Sequence, residues 1–197
     1  MEKNNSINQI NKDEVLRYLG YKNQEISDDI NNLIDVCREE VKAKSNPRFI
    51  YEYFDIKEVE DGVELNNASL LLKGNDIKRH LNNCDKIAIL VVTLGLEIER
   101  YMIYTERLDL TKSLILDACA TTYIEEICDE VEGKIKDEML KTDLNITSRY
   151  SPGYGDLPID IQGQLLAVMN AGRRIGVTAS KHHLLSPRKS VTAIIGI

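Results

Sequence analysis

The chain has 197 residues and a net charge of −7, enough for one substantial core and barely enough for two. That acidic balance excludes the basic footprint a nucleic-acid binder needs to neutralise phosphates. Apolar runs such as Ile87-Ala88-Ile89-Leu90-Val91-Val92 are too short to cross a bilayer, and residues 1–6 lack the apolar core of a signal peptide, so a soluble, cytoplasmic protein is expected.

Residues 1–10 are polar and read as a frayed end. A short helix is expected over 13–19, stopped by Gly20. Ser27 reads as the cap of a second helix with an apolar face of Ile30, Leu33, Ile34, Cys37 and Val41. It ends near Asn46-Pro47, because the residue before proline disfavours helix. Residues 49–59 alternate in part and read as a strand, which the Glu60-Asp61-Gly62 turn folds back onto Val63-Glu64-Leu65 as a hairpin. Residues 74–81 suggest a short helix and 94–105 a returning one. Between them, 86–93 is a continuous aliphatic strand that can be covered on both faces.

Asp109 is placed to cap the longest periodic segment, in which Leu114, Ala118, Thr122, Ile127, Val131, Ile135 and Met139 hold one helical face. This is the expected central helix. Its acids, Glu125, Glu126, Asp129, Glu130 and Glu132, read as a solvated face. Residues 145–150 suggest a strand, and 159–172 a helix with Leu165, Leu166 and Met169 facing inward. Two extended pieces follow at 175–179 and 190–197, the last too apolar for a loose tail and therefore a strand tied into the sheet. Cys37, Cys84, Cys119 and Cys128 form no CxxC pair and read as buried reduced thiols. No metal site is assigned, since His182 and His183 point to opposite faces of an extended segment and His80 is far off in sequence.

The chemistry concentrates in Arg149-Tyr150-Ser151-Pro152-Gly153-Tyr154-Gly155-Asp156-Leu157-Pro158. Arginine offers a permanently charged planar fork for a carboxylate or phosphate. Gly153 and Gly155 leave backbone amides open to a ligand, and Pro158 suits the start of the next helix. Tyr150 and Tyr154 add aromatic faces suited to an adenine ring or a sulfonium cation. Neither GxxxxGK[ST] nor GxGxxG is present, so a triphosphate or dinucleotide by the usual loops has no warrant. There is no GxSxG, and no residue is assigned a catalytic role.

Arg149-Tyr-Ser-Pro-Gly153-Tyr154, then Ile175-Gly-Val-Thr178, then Leu185-Ser-Pro-Arg-Lys-Ser190-Val-Thr-Ala-Ile-Ile-Gly196 together resemble the activation domain of vitamin B12-dependent methionine synthase. The resemblance is carried by the last third of the chain, more loosely by the helix after Asp109, and over the first hundred residues by short stand-alone members. It implies an α+β fold, mainly an antiparallel sheet with flanking helices and one long central helix. Residues 1–46 would be an N-terminal helical extension and 47–197 the S-adenosylmethionine-binding unit.

By the same resemblance, Arg149 contacts the S-adenosylmethionine carboxylate, Gly153 and Tyr154 line the ligand, and the backbone at Ser151 and Pro152 contributes hydrogen bonds. The family's acidic contact on the long helix falls at Thr121 here, with Glu125 one turn later as the carboxylate in reach. The implied function is a free-standing reactivation protein, an accessory in a cobalamin-dependent methionine synthase system. It would rest on the cobalamin-binding domain of a partner enzyme while a flavodoxin- or ferredoxin-like donor reduces cob(II)alamin and S-adenosylmethionine remethylates it. An adaptor that binds a corrinoid protein without the methyl donor, and a reactivator of another corrinoid methyltransferase, are the alternatives. The family's strand continues into a further tyrosine, whereas this sequence ends at Ile197, from which a lower affinity or a contact supplied by the partner is expected.

Overall fold

A computed structural model describes residues 10–22, 24–66 and 68–197. The frayed end expected at 1–10 lies outside these except at Ile10, which is buried. The fold is α+β, with an antiparallel five-stranded sheet, helices on both of its faces and one helix of 31 residues. In chain order the helices are α1 (Lys12–Tyr18), α2 (Asp28–Lys44), α3 (Asn75–His80), α4 (Leu96–Glu106), α5 (Leu110–Leu140), α6 (Gln162–Val168) and α7 (Ala171–Ile175). The strands are β1 (Arg48–Val59), β2 (Gly62–Leu65), β3 (Leu71–Lys73), β4 (Lys86–Thr93), β5 (Thr178–Ala179), β6 (Leu185–Ser186) and β7 (Ser190–Gly196).

The main sheet runs β3-β2-β1-β4-β7, and β5 and β6 form a separate small hairpin. β1 pairs with β4 through 48–55 and with β2 through 56–59, so its 12 residues serve two partners in turn. β4 lies inside the sheet between β1 and β7, where its aliphatic run satisfies both faces. Successive strand side chains point to opposite sides. Ala88, Leu90 and Val92 enter a core shared with α1, α2, α4 and α5, whereas Ile87, Ile89 and Val91 enter a second core with α3, α6 and α7. β7 closes the edge and is almost wholly buried, as the apolar tail required.

The expected caps form. The Ser27 hydroxyl accepts from the Ile30 amide, and the Asp109 carboxylate accepts from the Lys112 amide at 2.9 Å. Asn11, which the sequence reading passed over, caps α1 by accepting from the Asp13 and Glu14 amides. The 60–62 turn makes the β1–β2 hairpin, with Val59 opposite Gly62.

Several elements differ from expectation. Residues 145–150 form no strand; they follow the β7 edge and meet it in a single bridge, Tyr150 to Ile194. The Gly196 amide donates to the Thr147 hydroxyl at 2.8 Å rather than to a backbone carbonyl, which interrupts the ladder. The single helix expected over 159–172 is a 3-10 turn (Ile159–Ile161) followed by α6 and α7, because Asn170 adopts a left-handed conformation (φ 50°) that breaks the α-helical run. Leu165, Leu166 and Met169 are nonetheless buried. His182 and His183 lie in the β5–β6 turn rather than in an extended segment. Leu114, assigned to the core face of α5, is exposed; Ile115, Leu116 and Ala118 take the core side, and the face through Leu110 and Leu114 turns to solvent beside α4.

Glu126 also leaves the expected solvated face. Its Oε1 accepts from the Asn11 amide at 2.7 Å, while its Oε2 is buried without a hydrogen-bond partner among the described residues. Burial raises its pKa, outweighing the Asn11 bond and the nearby Arg38. A carboxyl whose folded pKa lies above its unfolded value favours folding while protonated and loses that contribution as pH rises through the folded pKa. Glu126→Gln keeps the carbonyl acceptor and is therefore expected to raise the melting temperature at neutral pH. The gain should vanish below the unfolded glutamate pKa, as thermal melts across pH would show. Equal melting temperatures at neutral pH would contradict this assignment.

The thiols behave as read. Cys37, Cys119 and Cys128 are buried, Cys84 is half-buried, and all are free. Burial pushes the first three up to about 12, so they stay protonated. Among the described residues, no helix is long and apolar enough to cross a membrane.

Candidate functional site

The segment around the Tyr150 bridge stands beside the acidic face of α5. Five residues of that face, Asp117, Thr121, Glu125, Asp129 and Glu132, recur at helical spacing, so their side chains point the same way. Arg149 reaches into them. Its Nη1 donates to Glu132 Oε2 at 2.7 Å, and its Nη2 donates to Asp129 Oδ1 at 2.7 Å and to Glu125 Oε2 at 3.3 Å. The arginine side chain is 19% exposed, whereas Asp129 is 70% exposed. Burial opposes the guanidinium charge, but the Asp129 bond and the surrounding anions outweigh it and raise the Arg149 pKa above its ordinary value. One cation faces three carboxylates, which leaves two negative charges in excess.

A cavity of about 330 Å³ opens beside this cluster, at the lower end of the 300–1,000 Å³ usual for small-molecule sites. Glu125, Glu132, Arg149, Tyr150, Ser151 and Tyr154 contribute to its wall. Four of the six residues singled out in the sequence, Arg149, Ser151, Tyr154 and Glu125, therefore meet at one cavity. The other two do not line it: Pro152 is buried behind the turn, and Gly153 is exposed.

The turn is held by its own bonds. The Gly153 amide donates to the Leu157 carbonyl at 2.9 Å and the Tyr154 amide to the Ser151 carbonyl at 3.2 Å, so these two amides are engaged rather than open as the glycine pattern suggested. Gly153 has φ 93°, which favours glycine, and a Cβ there would stand 3.1 Å from the Ile159 side chain. The Tyr150 hydroxyl donates to the Tyr154 carbonyl at 3.1 Å, and the His80 ring packs against the Tyr150 ring at 4.9 Å. Asp156 fastens the far side of the turn to α3, accepting from the Asn75 and Asp76 amides at 2.6 and 3.0 Å. These bonds, the Asp76 one foremost, hold its carboxyl below the usual range.

Sequence reasoning missed Asp129 and Glu132 as partners of Arg149. The i, i+4, i+7 spacing with Glu125 was visible, but nothing in the sequence placed that face opposite residue 149. Thr121 accepts from Lys189 Nζ at 2.7 Å, and the same ammonium stands 3.0 Å from Asp117. Cys128 lies near Arg149 and stays protonated, so it offers no nucleophile.

No protein-family model and no curated protein matches the chain. Among solved structures it is similar to the MetH reactivation domain in its crystal structure bound to AdoHcy. The TM-score is 0.63 and the identity 16%, over 93% of this chain. The chain spans 65% of that structure's length. At this identity the likeness shows a shared fold and nothing finer.

Proposed function

We propose that the chain is an S-adenosylmethionine-binding reactivation protein, acting in the cytoplasm, that supports reductive methylation of cob(II)alamin in a separate methionine synthase. One observation carries this reading: Arg149, Tyr154 and a row of α5 carboxylates converge on one cavity in a reactivation-domain fold. The ligand's charges match the cavity. Its carboxylate suits the Arg149 fork, and its ammonium and sulfonium suit the two excess negative charges around it. The exposed Tyr154 ring can close over the adenine or the sulfonium.

Because all three acids already hold Arg149, an incoming carboxylate must displace one of them. Asp129 is the most exposed and the easiest to release to water. The work of the chain is then to orient the methyl donor and exclude water. Electron delivery by a flavodoxin- or ferredoxin-like protein, and methyl transfer from the sulfonium with release of S-adenosylhomocysteine, belong to the partner's corrinoid and the ligand. In this reading 47–197 is the ligand-binding unit and 1–46 its helical extension.

A second reading, an adaptor for a corrinoid protein without a methyl donor, is favoured by the full engagement of Arg149 with Glu125, Asp129 and Glu132. Calorimetric titration with S-adenosylmethionine separates the two. Binding should give heat and raise thermal stability, by about 2.7 kcal/mol at a hundredfold excess over Kd. Absence of both at millimolar ligand would leave the adaptor. Transfer of a labelled methyl group to a candidate corrinoid protein under reducing conditions then tests the reaction itself.

A further inference from the structure

The helical hairpin of α4 and α5 exposes an apolar surface that the ligand site does not use. Ile103, Tyr104, Leu108, Leu110 and Leu114 are between 41% and 69% exposed, and they fall within twelve consecutive residues. Ile103, Leu110 and Leu114 line a groove of about 160 Å³ between the two helices. Large apolar patches on a soluble protein's surface mark interaction sites, and three of these five exposed side chains share one groove.

The rim of the groove carries both signs of charge. Glu99, Glu106 and Asp117 stand on it together with Arg188 and Lys189. Lys189 is neutralised within the chain by Asp117, and the Arg188 amide donates to Glu99. That backbone bond does not cancel the Glu99 charge, so Glu99 and exposed Glu106 stand opposite in sign to exposed Arg188 on one rim. A partner of a single sign would meet like charge on one side. A second copy related by a two-fold axis sets Glu106 of each chain toward Arg188 of the other, the self-complementarity of an isologous interface. Two helical hairpins face to face also form four-helix packing, in which apolar ridges fill facing grooves.

We propose that the chain forms a symmetric homodimer through the α4–α5 hairpin, with Leu110 and Leu114 at the centre and the Glu106–Arg188 pair at the edge. Sedimentation equilibrium on the intact chain tests it. The wild type should shift toward twice the mass of one chain as concentration rises through the micromolar range. Leu110→Glu with Leu114→Glu should weaken association by at least about tenfold, as loss of central interface residues does. Both positions are exposed, so circular dichroism should be unchanged.

Glu106→Arg and Arg188→Glu should each weaken the dimer, and their combination should restore it. That restoration holds the proposal to account even if the leucine variant folds poorly. Leu144→Glu, exposed elsewhere on the surface, should leave the dimer intact. A wild type that keeps the mass of one chain up to millimolar concentration would overturn the proposal, as would a dimer indifferent to the leucine pair or charge reversals that do not compensate.

Discussion

Replacing Arg149 with alanine is expected to weaken S-adenosylmethionine binding by about 1.5–3 kcal/mol, the usual worth of a hydrogen bond to a charged group, or roughly ten- to 150-fold in Kd. The same change removes the only cation bonded to Glu125, Asp129 and Glu132 among the described residues, and leaves three like charges along one face of α5. Pairs of like charge at helical spacing cost a few tenths of a kcal/mol each. Discounted for the solvent that reaches Asp129 and Glu125, the unliganded protein should lose about 1–2 kcal/mol of stability.

The two effects separate experimentally. Arg149→Lys keeps the charge that offsets the acids but not the planar fork, so most of the stability should return while much of the affinity stays lost. Calorimetry on each folded variant, alongside denaturant unfolding without ligand, reads them independently. Unchanged affinity in the alanine variant would mean that the ligand carboxylate is held elsewhere.

Ile89→Ala and Leu90→Ala should both destabilise the fold heavily, each by about 2–5 kcal/mol as for other large-to-small core changes. The informative point is that adjacent residues of one strand behave alike. On a sheet with one solvated face, one of the two would point outward and fall within about 0.5 kcal/mol of wild type. Here Leu90 enters the core beneath α5, and Ile89 enters the core beneath α6 and α7; both are fully buried. Urea midpoints at constant slope measure the two losses. A near-neutral result at either position would contradict the two-sided packing of β4.

The dimer and the ligand site use different stretches of the same α5 face, apolar at Leu110 and Leu114 and charged from Glu125 onward. Disrupting the dimer is therefore compatible with retained ligand binding, so the two proposals can fail separately.

Local chemistry made much of this fold readable. The aliphatic run of β4, the caps at Ser27 and Asp109, the 60–62 hairpin and the long period of α5 are each encoded within a few residues, because side-chain periodicity and capping act over a single turn or strand. The turn from Arg149 to Pro158 was legible for the same reason, being dense in residues with unusual backbone or charge properties. The break at Asn170 was not, since asparagine adopts a left-handed conformation only when the surrounding packing favours it. Nor was the missing strand at 145–150, whose ladder is interrupted by one threonine hydroxyl bonded to a residue 49 positions away.

The partners of Arg149 were beyond reach of any local signal. A charged row at helical spacing reads as a solvated face until some distant segment is laid across it, and here the chain bends between α5 and β7 to bring a guanidinium onto that row. Type, length and capping of each element are short-range matters that residues state for themselves. Which face meets which segment, and hence whether an acid is bathed in water or holds a buried cation, depends on contacts far apart along the chain that only the packed sheet and helices bring within a few ångströms.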